Sequence, residues 1–228
     1  MKLTYYGHSC FSVETNDTIL LFDPFVTYNE LARQKGITAD DLRADYILIS
    51  HGHQDHVADA VSVAARTGAT VICAYELMGW FNEQGIKNVH PMNTGGKKTF
   101  QFGTVRCVVA QHSSGLPDGS YGGNPMGFVV TNDDANFYYS GDTALTLDMQ
   151  LIPRWTTIDF AVLPIGDNFT MGPEDAAMAA DMVQTEKVIG VHYDTFPYIV
   201  IDKLAAQKTF ADKQIELALP EIGQTIQL

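Results

Sequence analysis

The chain has 228 residues, 46% of them hydrophobic and 18% charged, the composition expected of a soluble globular protein long enough to bury one sizeable core. No apolar stretch reaches membrane-spanning length, and the alternating start from Met1 to Tyr6 lacks a signal peptide's apolar core; a cytoplasmic protein with no membrane partner is expected. Fourteen basic against twenty-seven acidic residues leave a formal charge of −13, a field that repels phosphate backbones and argues against nucleic acid as partner.

Residues 2–6, 10–14 and 18–22 read as three strands, the last two joined by a turn at Asn16 and Asp17. Gly7-His8-Ser9 interrupts the first pair, and His8 is either a turn residue or points into a site. Asp23-Pro24 ends the third strand, where a carboxylate is a common turn former. Residues 26–44 are polar and mixed, with a short helix expected around 29–35. The apolar run Tyr46-Ile47-Leu48-Ile49 then reads as a buried strand. It leads directly into Ser50-His51-Gly52-His53-Gln54-Asp55-His56.

In extended backbone, residues two apart point the same way, so His51 and His53 aim at one point, with Gly52 keeping the space between them clear. Packing explains such a cluster poorly, because each buried polar group would need its own partner. Two converging imidazoles make half a metal site. Val57, Ala60, Val61, Ala64 and Ala65 at helical spacing, with Gly68 as a stop, predict a helix after the loop.

Residues 69–74 read as a strand, and a further helix begins at Tyr75-Glu76-Leu77. Glu76 sits where an acid is stabilised by a helix amino terminus in any case. His90, before Pro91, is expected in a surface loop without a role. Alternation over 99–110 predicts paired strands ending at Gln111-His112-Ser113-Ser114, a second strand-end histidine cluster. The loop 115–124 carries four glycines and one proline, and a lid or plain surface are the two readings. Residues 126–131 and 136–140 predict a hairpin running into Gly141-Asp142-Thr143. A strand over 158–163, a helix opened by Pro173 with Glu174 and Asp175 in its first turn, and a strand over 188–191 ending at His192 follow. An amphipathic helix over 201–213 and strands over 215–219 and 225–228 close the chain. Cys10, Cys73 and Cys107 are odd in number, have no CxxC neighbours and lie in apolar surroundings, which predicts buried free thiols. No repeat is visible in the sequence.

The His-x-His-x-Asp-His pattern at His51, His53, Asp55 and His56 resembles the signature of the metallo-β-lactamase superfamily, and His112, the Ser140-Gly141-Asp142-Thr143 stretch and His192 follow at long intervals. The resemblance covers nearly the whole chain. It points to the short bacterial metal-dependent hydrolases related to the L-ascorbate-6-phosphate lactonase. It implies an α+β fold, the four-layer αββα sandwich, with residues 1–228 as a single domain and the metals at one edge between the sheets. It further implies two divalent metal ions, the first held by His51, His53 and His112, the second by Asp55, His56 and His192, with Asp142 shared. Asp23 would support the histidine loop by hydrogen bonding. The same relatives have a Gly-His-Ser near the start and a glutamate at the place of Glu76, so His8 and Glu76 become candidate extra ligands. Their participation would raise the coordination number and favour an octahedral metal over zinc at one position.

Nitrogen and oxygen donors without thiolate suit zinc, manganese, nickel or iron. Two such ions would activate water for attack on an ester, lactone, amide or phosphoester of a small, even anionic, substrate, with Asp55 as the catalytic carboxylate. Diiron reductases of the superfamily carry glutamate at the place of His53 and need a flavin domain; zinc β-lactamases that use a cysteine ligand differ at Asp142. Alternatives are a non-catalytic metal-binding protein, whose site would be closed by protein ligands, and a phosphodiesterase acting on nucleotides. A small-molecule substrate is the expected partner, and a homo-oligomer is left open.

Overall fold

A computed structural model describes residues 1–228. The chain divides into two compact units, residues 1–93, 113–125 and 220–228 in the first and residues 94–112 and 126–219 in the second. Each unit is built on one seven-stranded mixed sheet. As expected, the elements are α+β.

In the first unit the strands are β1 (Lys2–Gly7), β2 (Cys10–Thr15), β3 (Thr18–Phe22), β4 (Tyr46–Leu48), β5 (Thr70–Ala74), β6 (Val89–Met92) and β14 (Thr225–Gln227), in the spatial order β14-β1-β2-β3-β4-β5-β6. The first four in that order are antiparallel, and β3 to β6 run parallel. The turn at Asn16 and Asp17 takes left-handed φ values of 47° and 56°, which this residue type tolerates in tight connections. Phe11 and Phe22 are register partners with stacked rings 4.5 Å apart, a pair that adds about 0.5–1.5 kcal/mol beyond its buried area. The helices are α1 (Glu30–Gln34), α2 (Gln54–Val57), α3 (Ala60–Thr67) and α4 (Tyr75–Glu83). The Asn29 side chain caps α1 by accepting from Leu31 N and Ala32 N. Gly68, at φ +74°, ends α3 in the left-handed conformation that glycine adopts without a Cβ penalty.

The second unit holds β7 (Lys97–Phe100), β8 (Gly103–Val109), β9 (Met126–Thr131), β10 (Phe137–Tyr139), β11 (Phe160–Pro164), β12 (Lys187–Val191) and β13 (Glu216–Ala218), ordered β13-β12-β11-β10-β9-β8-β7. Strands β7 to β10 are antiparallel, and β10 to β13 parallel. The pairing pattern of the first unit therefore recurs, with β14 from the far end of the chain in the place that β7 takes in the second, although the sequence shows no repeat. Phe137 and Phe160 stack as register partners here, 5.0 Å apart. Helices α5 (Pro173–Met182) and α6 (Lys203–Ala211) bury Ala176, Ala177, Ala179, Ala180, Ala206 and Phe210 in a core with Tyr138, Ala161, Leu163, Ile165 and Val188. The alanines let α5 approach the sheet closely, and Pro173 opens α5 at its first turn, where no N–H is needed.

One expectation needs correction, and one element was not foreseen. His90 lies not in a surface loop but in edge strand β6, paired with Ile72; Pro91 is tolerated there because an edge strand has a side on which no N–H is required. A 3-10 helix over Leu147–Arg154, with Pro153 inside it, is absent from the reading of the sequence. All three cysteines are buried free thiols.

Candidate metal centre

The residues singled out in the first unit sit at strand ends and in the turn between β1 and β2. Strand β4 stops at Leu48, yet Ile49 N–H still donates to Ile72 O at 2.9 Å, so pairing aims the chain for one more residue. His53 keeps an extended conformation, φ −62° and ψ 149°, as the N-cap of α2. The expected alternation of His51 and His53 thus survives past the end of the strand. His51 Nε2 lies 3.0 Å from His53 Nδ1, and the His51 and His56 ring centroids are 4.1 Å apart.

Asp23, fully buried after β3, organises this loop. Its Oδ1 accepts Ser50 N–H at 2.8 Å, and its Oδ2 accepts the Ser50 hydroxyl at 2.6 Å and His56 Nδ1 at 2.8 Å. Because Ser50 Oγ gives its proton to Asp23, it accepts from His51 Nδ1, 2.9 Å away. That fixes the tautomers. His51 and His56 each donate through Nδ1, and each keeps its lone pair on Nε2, the arrangement a metal ligand needs. Asp23 has φ +41°, a left-handed conformation that aspartate adopts more readily than most residues.

His8, at φ +56° after Gly7 at φ +106°, is also buried; Tyr5 OH donates to its carbonyl at 3.2 Å. Its Nε2 lies 3.0 Å from Asp55 Oδ2, and His56 Nε2 lies 3.9 Å from the same oxygen. The turn histidine is therefore brought to the ligand loop. Glu76 is exposed on the first turn of α4, where a Cβ on Gly123 would fall 2.6 Å from its Oε2. It shares no ligand-spaced group with the histidines.

The second unit gathers its own set. Asp142 follows β10 and Gly141 (φ +60°), and its Oδ2 lies 2.9 Å from His192 Nε2 and 3.7 Å from His112 Nε2. Buried Thr143 ties the set together: its hydroxyl accepts Gln111 N–H at 2.9 Å, next to His112, and its carbonyl accepts Met171 N–H at 3.0 Å. His192 has φ +56°, and its carbonyl packs so closely on Gly166 that a Cβ there would approach to 2.1 Å.

The donors fit divalent cations. They are imidazoles and carboxylates, with His51, His56, Asp142 and His192 buried, and no thiolate stands among them. In the first unit two imidazole nitrogens face each other at 3.0 Å while the far nitrogen of His51 is held as a donor. A cation between such nitrogens satisfies both.

Sequence reasoning missed several supporting residues. Ser50 stands directly beside His51 and carries the link to Asp23. Asp59, the N-cap of α3, accepts Val26 N–H at 2.6 Å and Thr27 N–H at 3.0 Å, tying residues 26–27 to the helix after the ligand loop. Thr143 stands beside Asp142 in the Ser-Gly-Asp-Thr stretch. Ser50 and Thr143 are small polar residues each beside a ligand-type one, and that adjacency is the signal that could have found them; Asp59 stands three residues after His56 and carries no such signal.

Comparison with known proteins adds the family. Residues 18–193 match the model of a beta-lactamase superfamily domain. The chain belongs to the metallo-β-lactamase superfamily. Within it the chain is 50% identical over 228 residues, all of both chains, to a UPF0173 metal-dependent hydrolase of Christiangramia forsetii. It is 44% identical over 240 aligned residues, again covering both in full, to the UPF0173 metal-dependent hydrolase YtkL of Bacillus subtilis. Among solved structures, the metallo hydrolase Igni18 of Ignicoccus hospitalis superposes with a TM-score of 0.86 at 30% identity, covering 99% of this chain and 97% of that one. The fold is thus that of the metallo-β-lactamase superfamily, and the protein is one of its metal-dependent hydrolases.

Proposed function

We propose that His51, His53, Asp55, His56, His112, Asp142 and His192 would hold two divalent metal ions, and that the protein hydrolyses an ester, lactone, amide or phosphoester of a small substrate. Bound there, the two ions supply a water made acidic enough to attack at neutral pH and polarise the substrate oxygen that takes up negative charge. Zinc, manganese, nickel and iron all accept this donor set. Asp55 orients the attacking water and takes its proton on Oδ2, the oxygen that His8 Nε2 approaches to 3.0 Å. His8 thereby holds the carboxylate in its working rotamer. Glu76, exposed and turned to Gly123, has no part in this scheme.

The observation that carries the reading is the buried Asp23–Ser50–His51 and Asp23–His56 network, which presets two imidazoles as Nε2 donors. Metal-loaded protein should turn over at least one member of a broad panel of esters, lactones, amides and phosphoesters. Asp55→Ala should abolish that turnover with folding intact. A loaded protein inert across the panel, unfolding on chelation, would instead assign the ions a structural role.

A further inference from the structure

The segment that follows His112 touches the histidine loop at two points that the proposed mechanism leaves unused. Ser113 Oγ lies 3.3 Å from His53 Nε2, and buried Ser114 Oγ accepts Gly52 N–H at 3.0 Å. The segment is itself closed. Gly122 N–H donates to Ser114 O at 2.8 Å, Leu116 N–H to Ser120 O and Gly119 N–H to Leu116 O, both at 2.9 Å, and Gly115 bridges Tyr121. It also packs on Gly52: a Cβ there would lie 3.2 Å from Leu116 Cγ and 3.3 Å from Gly122 Cα, and a Cβ on Gly122 would lie 2.7 Å from Ser114 Oγ. Glycine is therefore required at 122, and at 52 any side chain would press on Leu116 and Gly122.

We infer that Ser113 and Ser114 are positioning residues for the metal centre, a brace that sets the spacing of His51 and His53 through Gly52 and orients the His53 ring by accepting from the Nε2–H it keeps when Nδ1 ligates. A hydroxyl that accepts from His53 Nε2–H leaves the lone pair on Nδ1, the nitrogen 3.0 Å from His51 Nε2. His51 Nε2 also carries a lone pair, because its Nδ1 donates to Ser50. With a cation bound to both nitrogens, Ser113 Oγ accepts the Nε2–H that His53 retains and holds that ring in its ligating orientation. Ser114 does the complementary work on the backbone: by accepting Gly52 N–H it holds the one residue between the two histidines. The inference rests on the reading that these histidines bind metal.

The test is Co²⁺ titration of metal-free wild type, Ser113→Ala, Ser114→Ala and Ser113→Thr, reading dissociation constants by competition with a chromophoric chelator and geometry from the visible absorption of the bound ion. The wild type should bind two ions. Each alanine variant should weaken one of them by about ten- to a hundredfold and alter its spectrum, and Ser113→Thr, which keeps the hydroxyl, should restore both. Ser113 is exposed, so its alanine variant decides the matter even where Ser114→Ala fails to fold. Alanine variants with wild-type constants and spectra would overturn the brace while leaving the metal reading intact. A wild type that takes up no Co²⁺ would overturn both.

Discussion

Asp23→Asn and Asp23→Ala separate the two jobs of one buried carboxylate. Alanine would strip acceptors from Ser50 N–H and His56 Nδ1, both inside the protein, at about 1–3 kcal/mol each. Holding alanine at φ +41° adds about 1–2 kcal/mol. The total of about 3–8 kcal/mol is comparable with the whole stability of an ordinary domain, so Asp23→Ala should be insoluble or largely unfolded. Asparagine tolerates the backbone and keeps an oxygen for Ser50 N–H, so the metal-free protein should lose only about 1–2 kcal/mol. Its amide, however, donates where the carboxylate accepted. His56 must then accept on Nδ1 and carry its proton on Nε2, where no metal can bind. Urea denaturation of the metal-free protein, with chelator competition for metal affinity, reads the two effects separately. Asp23→Asn should fold and bind one ion about ten- to a hundredfold more weakly. Wild-type affinity in that variant would refute the tautomer argument.

Gly166→Ala should cost at least about 3 kcal/mol in denaturant unfolding, because the new methyl meets the His192 carbonyl and neither backbone can yield. Tyr138→Phe should be neutral or stabilising by up to about 1 kcal/mol, since the buried hydroxyl has no hydrogen-bond partner to lose; a clear loss of stability would show that it has one. Burial pushes the Cys107 thiol up to about 12 and that of Cys10 higher still. In the unfolded chain both ionise near 8.5. Raised folded values mean that stability is fully present below about pH 8.5 and is lost as pH climbs towards 12, by about 1.4 kcal/mol per pH unit for each thiol. Cys107→Ala should shallow that alkaline slope, measured by urea midpoints from pH 8 to 10.5. In the native state at pH 8 a thiol reagent should leave both cysteines unlabelled.

The histidine loop was legible because its signal is local. A β-branched apolar run, a two-residue alternation and a glycine between the imidazoles lie within a dozen residues. The order of the strands was not. Strand β14 pairs with β1 across almost the full chain, Lys2 against Gln227, and no local pattern encodes such a partner. The recurrence of one scheme in both units was hidden for the same reason, since topology repeats where side chains do not: Asp23 follows β3 as Asp142 follows β10. His90 was misplaced because Pro91 reads as a strand breaker unless the strand is known to lie at an edge. The 3-10 helix over Leu147–Arg154 has a proline inside and no helical period to announce it. In the site, ligand-type residues announced themselves. Their supports, Ser50, Asp59, Thr143 and the 113–114 serines, are ordinary loop residues until their partners are known.

The central claim is that this chain carries a pair of ions as its working group. Elemental analysis of the purified protein, paired with hydrolysis assays before and after chelation, tests it most directly. The account predicts two divalent ions per chain, activity lost as they are removed and regained when they are returned. A protein that keeps its activity without metal, or that binds no more than one ion at saturation, would contradict it.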